Sequence, residues 1–112
     1  MPVVLVISAD WQLRALVRAE LKEAGLMAIG LDSADSLEQD VANFDRPSVI
    51  VLDGTELEKA AVRAQIAELA QDAAVLAVES RISAIPEIPG VAVLRRPLRV
   101  KEIVSWVREH VD

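Results

Sequence analysis

The 112-residue chain reads as one α/β domain over 1–112, with a five-stranded parallel sheet in the order 2-1-3-4-5 and helices on both faces. Three observations predict this. Short apolar runs, Val3-Val4-Leu5-Val6-Ile7 and Val49-Ile50-Val51-Leu52 among them, have the length and β-branched content of strands buried on both faces. Amphipathic stretches with apolar residues three and four apart separate these runs. The alternation β-α-β-α-β-α-β-loop-β-α then demands right-handed crossovers, which gather the carboxyl ends of strands one, three, four and five over one crevice.

The first strand is 3–7, and Ser8-Ala9-Asp10 follows as a loop in which Asp10 caps a helix over 11–24. Leu13, Leu16, Val17, Leu21 and Ala24 share the predicted inward stripe, with Glu20 snorkelling from its edge, Trp11 packed beside the crevice and Gly25 as the stop. A second strand over 26–31 is weakened by Gly30. A modest helix follows Asp32-Ser33 and turns Ala34, Leu37, Val41 and Phe44 to one face; Asp45-Arg46-Pro47 ends it. After Asp53-Gly54 a third helix is predicted from about 57 to 71, with Val62, Ile66, Leu69 and Ala73 inward. The fourth strand is Ala74–Val78. Pro86 and Pro89 leave no room for a full helix over 79–90. Val91–Leu94 forms the fifth strand. A last helix from 100 to the end turns Val100, Ile103, Val104, Val107 and Val111 inward, with Trp106 on its flank.

Composition narrows the function classes. Apolar residues make up 53% of the chain, too many for disorder, yet no apolar stretch approaches the roughly 20 residues that span a bilayer. The chain enters a strand directly after Met1-Pro2, which predicts no export signal and a soluble cytoplasmic domain. With no cysteine there is no disulfide, thiolate metal site or Cys nucleophile. Eighteen acidic residues against twelve basic ones, net charge −6, argue against nucleic acid. The one basic cluster is Arg95-Arg96 with Arg99 and Lys101. His110 stands alone near the C-terminus, without an evident catalytic or metal partner.

The loops that face the crevice carry Ser8, Ala9 and Asp10 after strand one, Asp53, Gly54 and Thr55 after strand three, Glu79 and Ser80 after strand four, and Arg96 after strand five. Val-Ile-Val-Leu-Asp at 49–53, the Leu94-Arg95-Arg96-Pro97 turn and the terminal amphipathic helix resemble the receiver domain of two-component response regulators, the CheY-like family, over essentially the whole chain. The resemblance makes Asp53 the phospho-acceptor position, charged from a phosphohistidine on a kinase. It implies Mg²⁺ held by two acidic residues after strand one, by the acceptor and by the backbone carbonyl of Thr55. A lysine before proline would contact the phosphate, and a Ser or Thr after strand four would report it.

The chain departs from that pattern at the chemistry. Ser8 and Ala9 stand at the acidic pair, and Asp10 comes one residue late. Arg96 replaces the lysine, and Glu79 stands at the hydroxyl position with Ser80 beside it. Mg²⁺ dehydrates reluctantly for a cage with essentially one anionic ligand, so the expected cofactor is none, with Mg²⁺ at Asp53 and Asp10 weak at best. Glu79 is expected to pair with Arg96, and Asp53 either with Arg96 or as a helix cap. The resemblance therefore implies a pseudo-receiver, not an enzyme, that acts through a protein partner, a sensor kinase or a downstream signalling protein. Trp106, Arg95 and Arg99 are the interface candidates. A homodimer through the last helix is the expected oligomer. The alternative is a working phospho-receiver on Asp53. More remotely, Asp53-Gly54-Thr55 resembles the end of the haloacid-dehalogenase phosphatase motif, whose nucleophile would fall at Val51.

Overall fold

The computed structural model describes residues 2–43, 47–79 and 85–111. Strands β1 (Val3–Ile7), β2 (Met27–Leu31), β3 (Val49–Asp53), β4 (Ala74–Val78) and β5 (Val91–Leu94) pair in parallel throughout, in the order β2-β1-β3-β4-β5. The predicted fold class and strand order hold. β3 is the centre of the sheet and is buried along its whole length, as its unbroken apolar sequence requires.

Side chains alternate across the sheet and build two cores. Leu5, Ile7, Ile50 and Leu52 meet Leu37 of α2 (Leu37–Asn43) and Val62 and Ile66 of α3 (Ala60–Leu69). Val4, Val6, Val49 and Val51 meet Val17 and Leu21 of α1 (Trp11–Glu23), and Ile103 and Val107 of α4 (Val100–His110). The β4–β5 connection has no helix over its described residues 85–90. Ile85 and Ile88 instead cover the sheet there as single buried side chains. Phe44, predicted on the α2 face, and Ser80 lie outside the described residues.

Four expectations need correction. Leu16 is 50% exposed, because it sits about 100° round the helix from Val17 and so leaves the inward stripe. Trp11 does not pack: it is 65% exposed at the first turn of α1. The helix predicted from 57 to 71 is two elements, a 3-10 turn (Gly54–Glu58) and α3, divided at Lys59, whose backbone is extended. His110 has a partner, since its ring stacks on Trp106 at 3.9 Å and its Nδ1 lies 2.7 Å from the Trp106 carbonyl.

Gly30 lets α1 lie close on β2. A Cβ there would stand 2.8 Å from Arg18 Cδ and 3.1 Å from Arg14 Cδ, so the two arginine stems cross the strand where a side chain would be. At the other extreme α2 is seven residues long and buries one residue, Leu37. So short a helix is marginal in isolation and depends on that anchor. Leu37→Ala should lower the unfolding free energy by about 2–5 kcal/mol, read from urea denaturation at unchanged slope.

Candidate functional site

β3 ends in a carboxylate that the fold buries and then uses. Asp53 is 4% exposed. Its Oδ2 accepts a hydrogen bond from Ser8 Oγ at 3.0 Å, and its Oδ1 accepts from the backbone N–H of Thr55 at 3.1 Å and from Thr55 Oγ1 at 3.0 Å. Asp53 is thus the N-cap of the 3-10 turn. Ser8, itself 2% exposed, follows β1, and the pairing of Ile7 with Leu52 sets it beside Asp53. Its hydroxyl oxygen also accepts from the Asp10 N–H at 3.1 Å.

The loop after β1 supplies no second carboxylate to Asp53. Ala9 is exposed. The Asp10 carboxylate accepts from the N–H groups of Gln12 (3.0 Å) and Leu13 (3.3 Å), the helix cap expected of it. Arg14 Nη1 donates to the Ser8 carbonyl at 2.7 Å and fixes the same loop from the first turns of α1. Among the described residues no three His, Cys, Asp or Glu side chains gather as metal ligands. The Ser8 and Thr55 hydroxyls and the Thr55 amide are already bonded to Asp53. Such a donor set, neutral and already engaged, does not fit Mg²⁺.

On the β4–β5 side the expected pair is shifted by one residue. Glu79 Oε2 takes a hydrogen bond from Arg95 Nη1 at 3.2 Å, while Arg96 reaches Glu79 Oε1 only through its backbone N–H, at 3.5 Å. Among the described residues the Arg96 guanidinium is paired neither with Glu79 nor with Asp53, and it is exposed. Arg95 and Arg99 are exposed as well, and Trp106 is half-buried under its stack with His110.

Two features of the site were not read from the sequence. Glu56, 6% exposed, sends Oε1 to the N–H of Ala34 at 2.9 Å and ties the 3-10 turn to the loop after β2. Its only sequence signal is a carboxylate next to Leu57 in a half-apolar stretch. Ile85 folds over Gly54, where an added Cβ would come within 2.8 Å of its Cγ1 and Cδ1 and 3.2 Å of the Val78 carbonyl. At the rim, the Lys59 ammonium hydrogen-bonds Asp35 at 2.6 Å, which holds the Asp35 carboxyl below its ordinary range and raises Lys59. The Asp35 share of stabilisation is lost as pH falls through its lowered pKa, and the Lys59 share as pH rises through its raised one. Both groups are exposed, so salt screens the pair.

Ser8→Ala removes a donor from a buried carboxylate. It should cost about 1–3 kcal/mol in chemical denaturation, whereas Ser8→Thr, which keeps the hydroxyl, should recover much of that loss. Gly54→Ala must displace Ile85 and should cost about 1–3 kcal/mol, and combined with Ile85→Ala, which removes both Cγ1 and Cδ1, it should cost less than the sum of the two single changes.

No protein-family profile and no curated protein sequence matches the chain. Solved structures do. A receiver domain of a Francisella response regulator superposes with a TM-score of 0.75 at 18% identity, covering 97% of this chain and 95% of that one. The Vibrio cholerae chemotaxis protein CheY4 gives 0.72 at 18% identity over 98% of each chain. A putative pilus assembly protein, CpaE, from Burkholderia thailandensis gives 0.72 at 20% identity, again over 98% of each. Likeness at these identities, over nearly the full length, establishes that this chain has the fold of response-regulator receiver domains.

Proposed function

We propose that the domain is a receiver-like signalling module of a two-component or phosphorelay type that works through protein–protein contact, with little or no Mg²⁺-dependent phosphorylation of Asp53, and is not an enzyme. The observation that carries the proposal is the buried hydrogen bond from Ser8 Oγ to Asp53 Oδ2 at 3.0 Å. A hydroxyl occupies the neighbouring position at which the receiver pattern requires a carboxylate. Mg²⁺ in such a site neutralises the charge on nucleophile and phosphoryl group. Here the Ser8 and Thr55 groups are neutral donors that orient Asp53 as a cap, and Asp10 serves α1.

The Glu79 carboxylate supports the same conclusion. It stands directly after Val78, which pairs with Asp53, and brings negative charge to the end of the sheet where a phosphate would have to enter. Its bond to Arg95 ties the end of β4 to the turn after β5. The partner is a sensor kinase or a downstream signalling protein. The contact face comprises the β5–α4 turn with Arg95 and Arg99, and Trp106, whose amphipathic ring is of the type enriched at binding hot spots.

Trp11, exposed one residue beyond Asp10, is a built-in reporter for the site. Titration with Mg²⁺ up to about 10 mM should leave its emission unchanged, set against the millimolar range of weak divalent sites. Incubation with acetyl phosphate and Mg²⁺ should add no phosphoryl mass to the intact protein. A stable adduct mapped to Asp53 would establish the phospho-receiver alternative, and turnover of a generic phosphatase substrate lost in Asp53→Asn would establish an enzyme. Restoring the acids with Ser8→Asp and Ala9→Asp should create Mg²⁺-dependent quenching of Trp11 that the native chain lacks.

A further inference from the structure

α2 and α3 cover the same face of the sheet, and a groove runs between them. It consists of two adjoining hollows of about 460 and 490 Å³ that share Glu38 and Gln65 in their walls. α2 contributes Glu38 and Val41, three residues apart, and α3 contributes Gln65, Glu68 and Leu69 from one helical face. Pro47 and Ala73, just before β3 and β4, line the larger hollow. The groove therefore opens at the amino ends of these strands, the end of the sheet opposite Asp53.

Its chemistry is one-sided. Val41 and Leu69, only partly buried where they pack against the core, give it an apolar floor together with Pro47 and Ala73. Among the described residues no lysine or arginine lines either hollow, while Glu38 and Glu68 stand on opposite walls. Both carboxylates are exposed, and among the described residues neither has an ion pair, whereas Asp35 in the smaller hollow is bonded to Lys59. Gln65, in the wall of both hollows, has its Oε1 buried without a hydrogen-bond donor. Buried acceptors left in this condition are rare in folded proteins, and a small turn of the amide would present the oxygen to an N–H in the groove.

We propose that the α2–α3 groove is a docking site for a basic amphipathic helix of a partner protein. The helix sets apolar side chains on the floor at Val41 and Leu69, and its lysine or arginine stems run up the walls to place their charges at Glu38 and Glu68. The floor selects against a hydrated metal ion, which gains nothing from apolar contact. Two joined, open hollows suit a chain segment better than a small molecule, most of whose surface a site normally encloses. The net charge of −6 steers such a partner toward the domain, and the pairing of acids with apolar surface fixes where it settles. This surface is separate from the one around Trp106, and docking here does not depend on phosphorylation of Asp53.

The test uses the whole chain and a synthetic helical peptide of about four turns, with leucine along one face and lysine along the rest. At an ionic strength of about 0.15 M, charges more than about 8 Å apart are largely screened. Backbone amide resonances of Val41, Gln65, Glu68 and Leu69 should shift on titration, and a matched peptide with glutamate for lysine should leave them in place. Glu38→Gln combined with Glu68→Gln should weaken the basic peptide by about tenfold or more. Glu23→Gln combined with Glu109→Gln removes the same charge from exposed positions outside the groove and should change binding by less than about twofold. All four glutamates are exposed, so both variants should melt as the native chain does. Equal weakening by the two pairs would assign the binding to overall charge and overturn the proposal. Shifts confined to other faces, or no binding at about 1 mM peptide, would overturn it as well. Self-association of the native chain that E38Q with E68Q abolishes would give the groove to a second copy, and the proposal would again fail.

Discussion

A carboxylate buried at the end of the central strand has to be given hydrogen-bond donors, and the carboxyl end of this sheet is arranged around that need. The net value of one hydrogen bond to a charged group is about 1.5–3 kcal/mol, and an unmet buried charge costs more than that. Ser8 and Thr55 serve Asp53 from two directions. Ser8 can do so only because β1 lies next to β3 with Ile7 opposite Leu52, so the crossover topology is what delivers the donor. Thr55 can do so because Asp53 starts a tight turn. The cap and the buried site are therefore one structure, and neither can change without the other.

That dependence has a chemical consequence. A nucleophilic carboxylate needs an oxygen free to approach an electrophile and a counter-charge to hold it there. On Asp53 both oxygens are engaged by protein donors that also fix local backbone, and Ile85 closes over the adjoining Gly54. Exchange of these neutral donors for a strongly hydrated dication would give up bonds that the fold uses, with few anionic ligands offered in return. Glu79 works in the same sense, since its carboxylate binds Arg95 and leaves that cation compensated before any external anion arrives. Ser8 and Glu79, two of the residues that differ from the receiver pattern, thus act in the same sense, each directing its hydrogen bonding or charge to a partner inside the protein.

Much of this was legible in the sequence, and the limits follow from what a linear pattern encodes. Strands buried on both faces must be apolar without interruption, so β1, β3 and β4 were readable almost to the residue; β5, only partly buried, was readable as a short apolar run between Gly90 and Arg95. Asp10 was readable as a cap because capping is local. Leu16 and Trp11 were misplaced because apolar character was taken for burial, although one residue step turns a helix by about 100° and an exposed apolar residue breaks no physical rule. The break between the 3-10 turn and α3 was invisible because it is fixed by long-range bonds: Ser8 to Asp53 across the sheet, and Ala34 to Glu56 from the loop after β2. The Glu79 pairing was displaced by one residue because alternation at the end of β5 decides which arginine side chain turns toward β4. No composition rule carries that information.

The connection between β4 and β5 links the site to the surface. A helix at this place would cover the outer half of the sheet with a full amphipathic face. The described part of the connection covers it with Ile85 and Ile88, two buried side chains on a non-helical backbone interrupted by Pro86 and Pro89. Ile85 closes over Gly54, and Val93 on β5 is exposed. Over the described part of this connection, single isoleucine side chains thus stand where an amphipathic face would otherwise lie, and Ile85 narrows the space above Gly54.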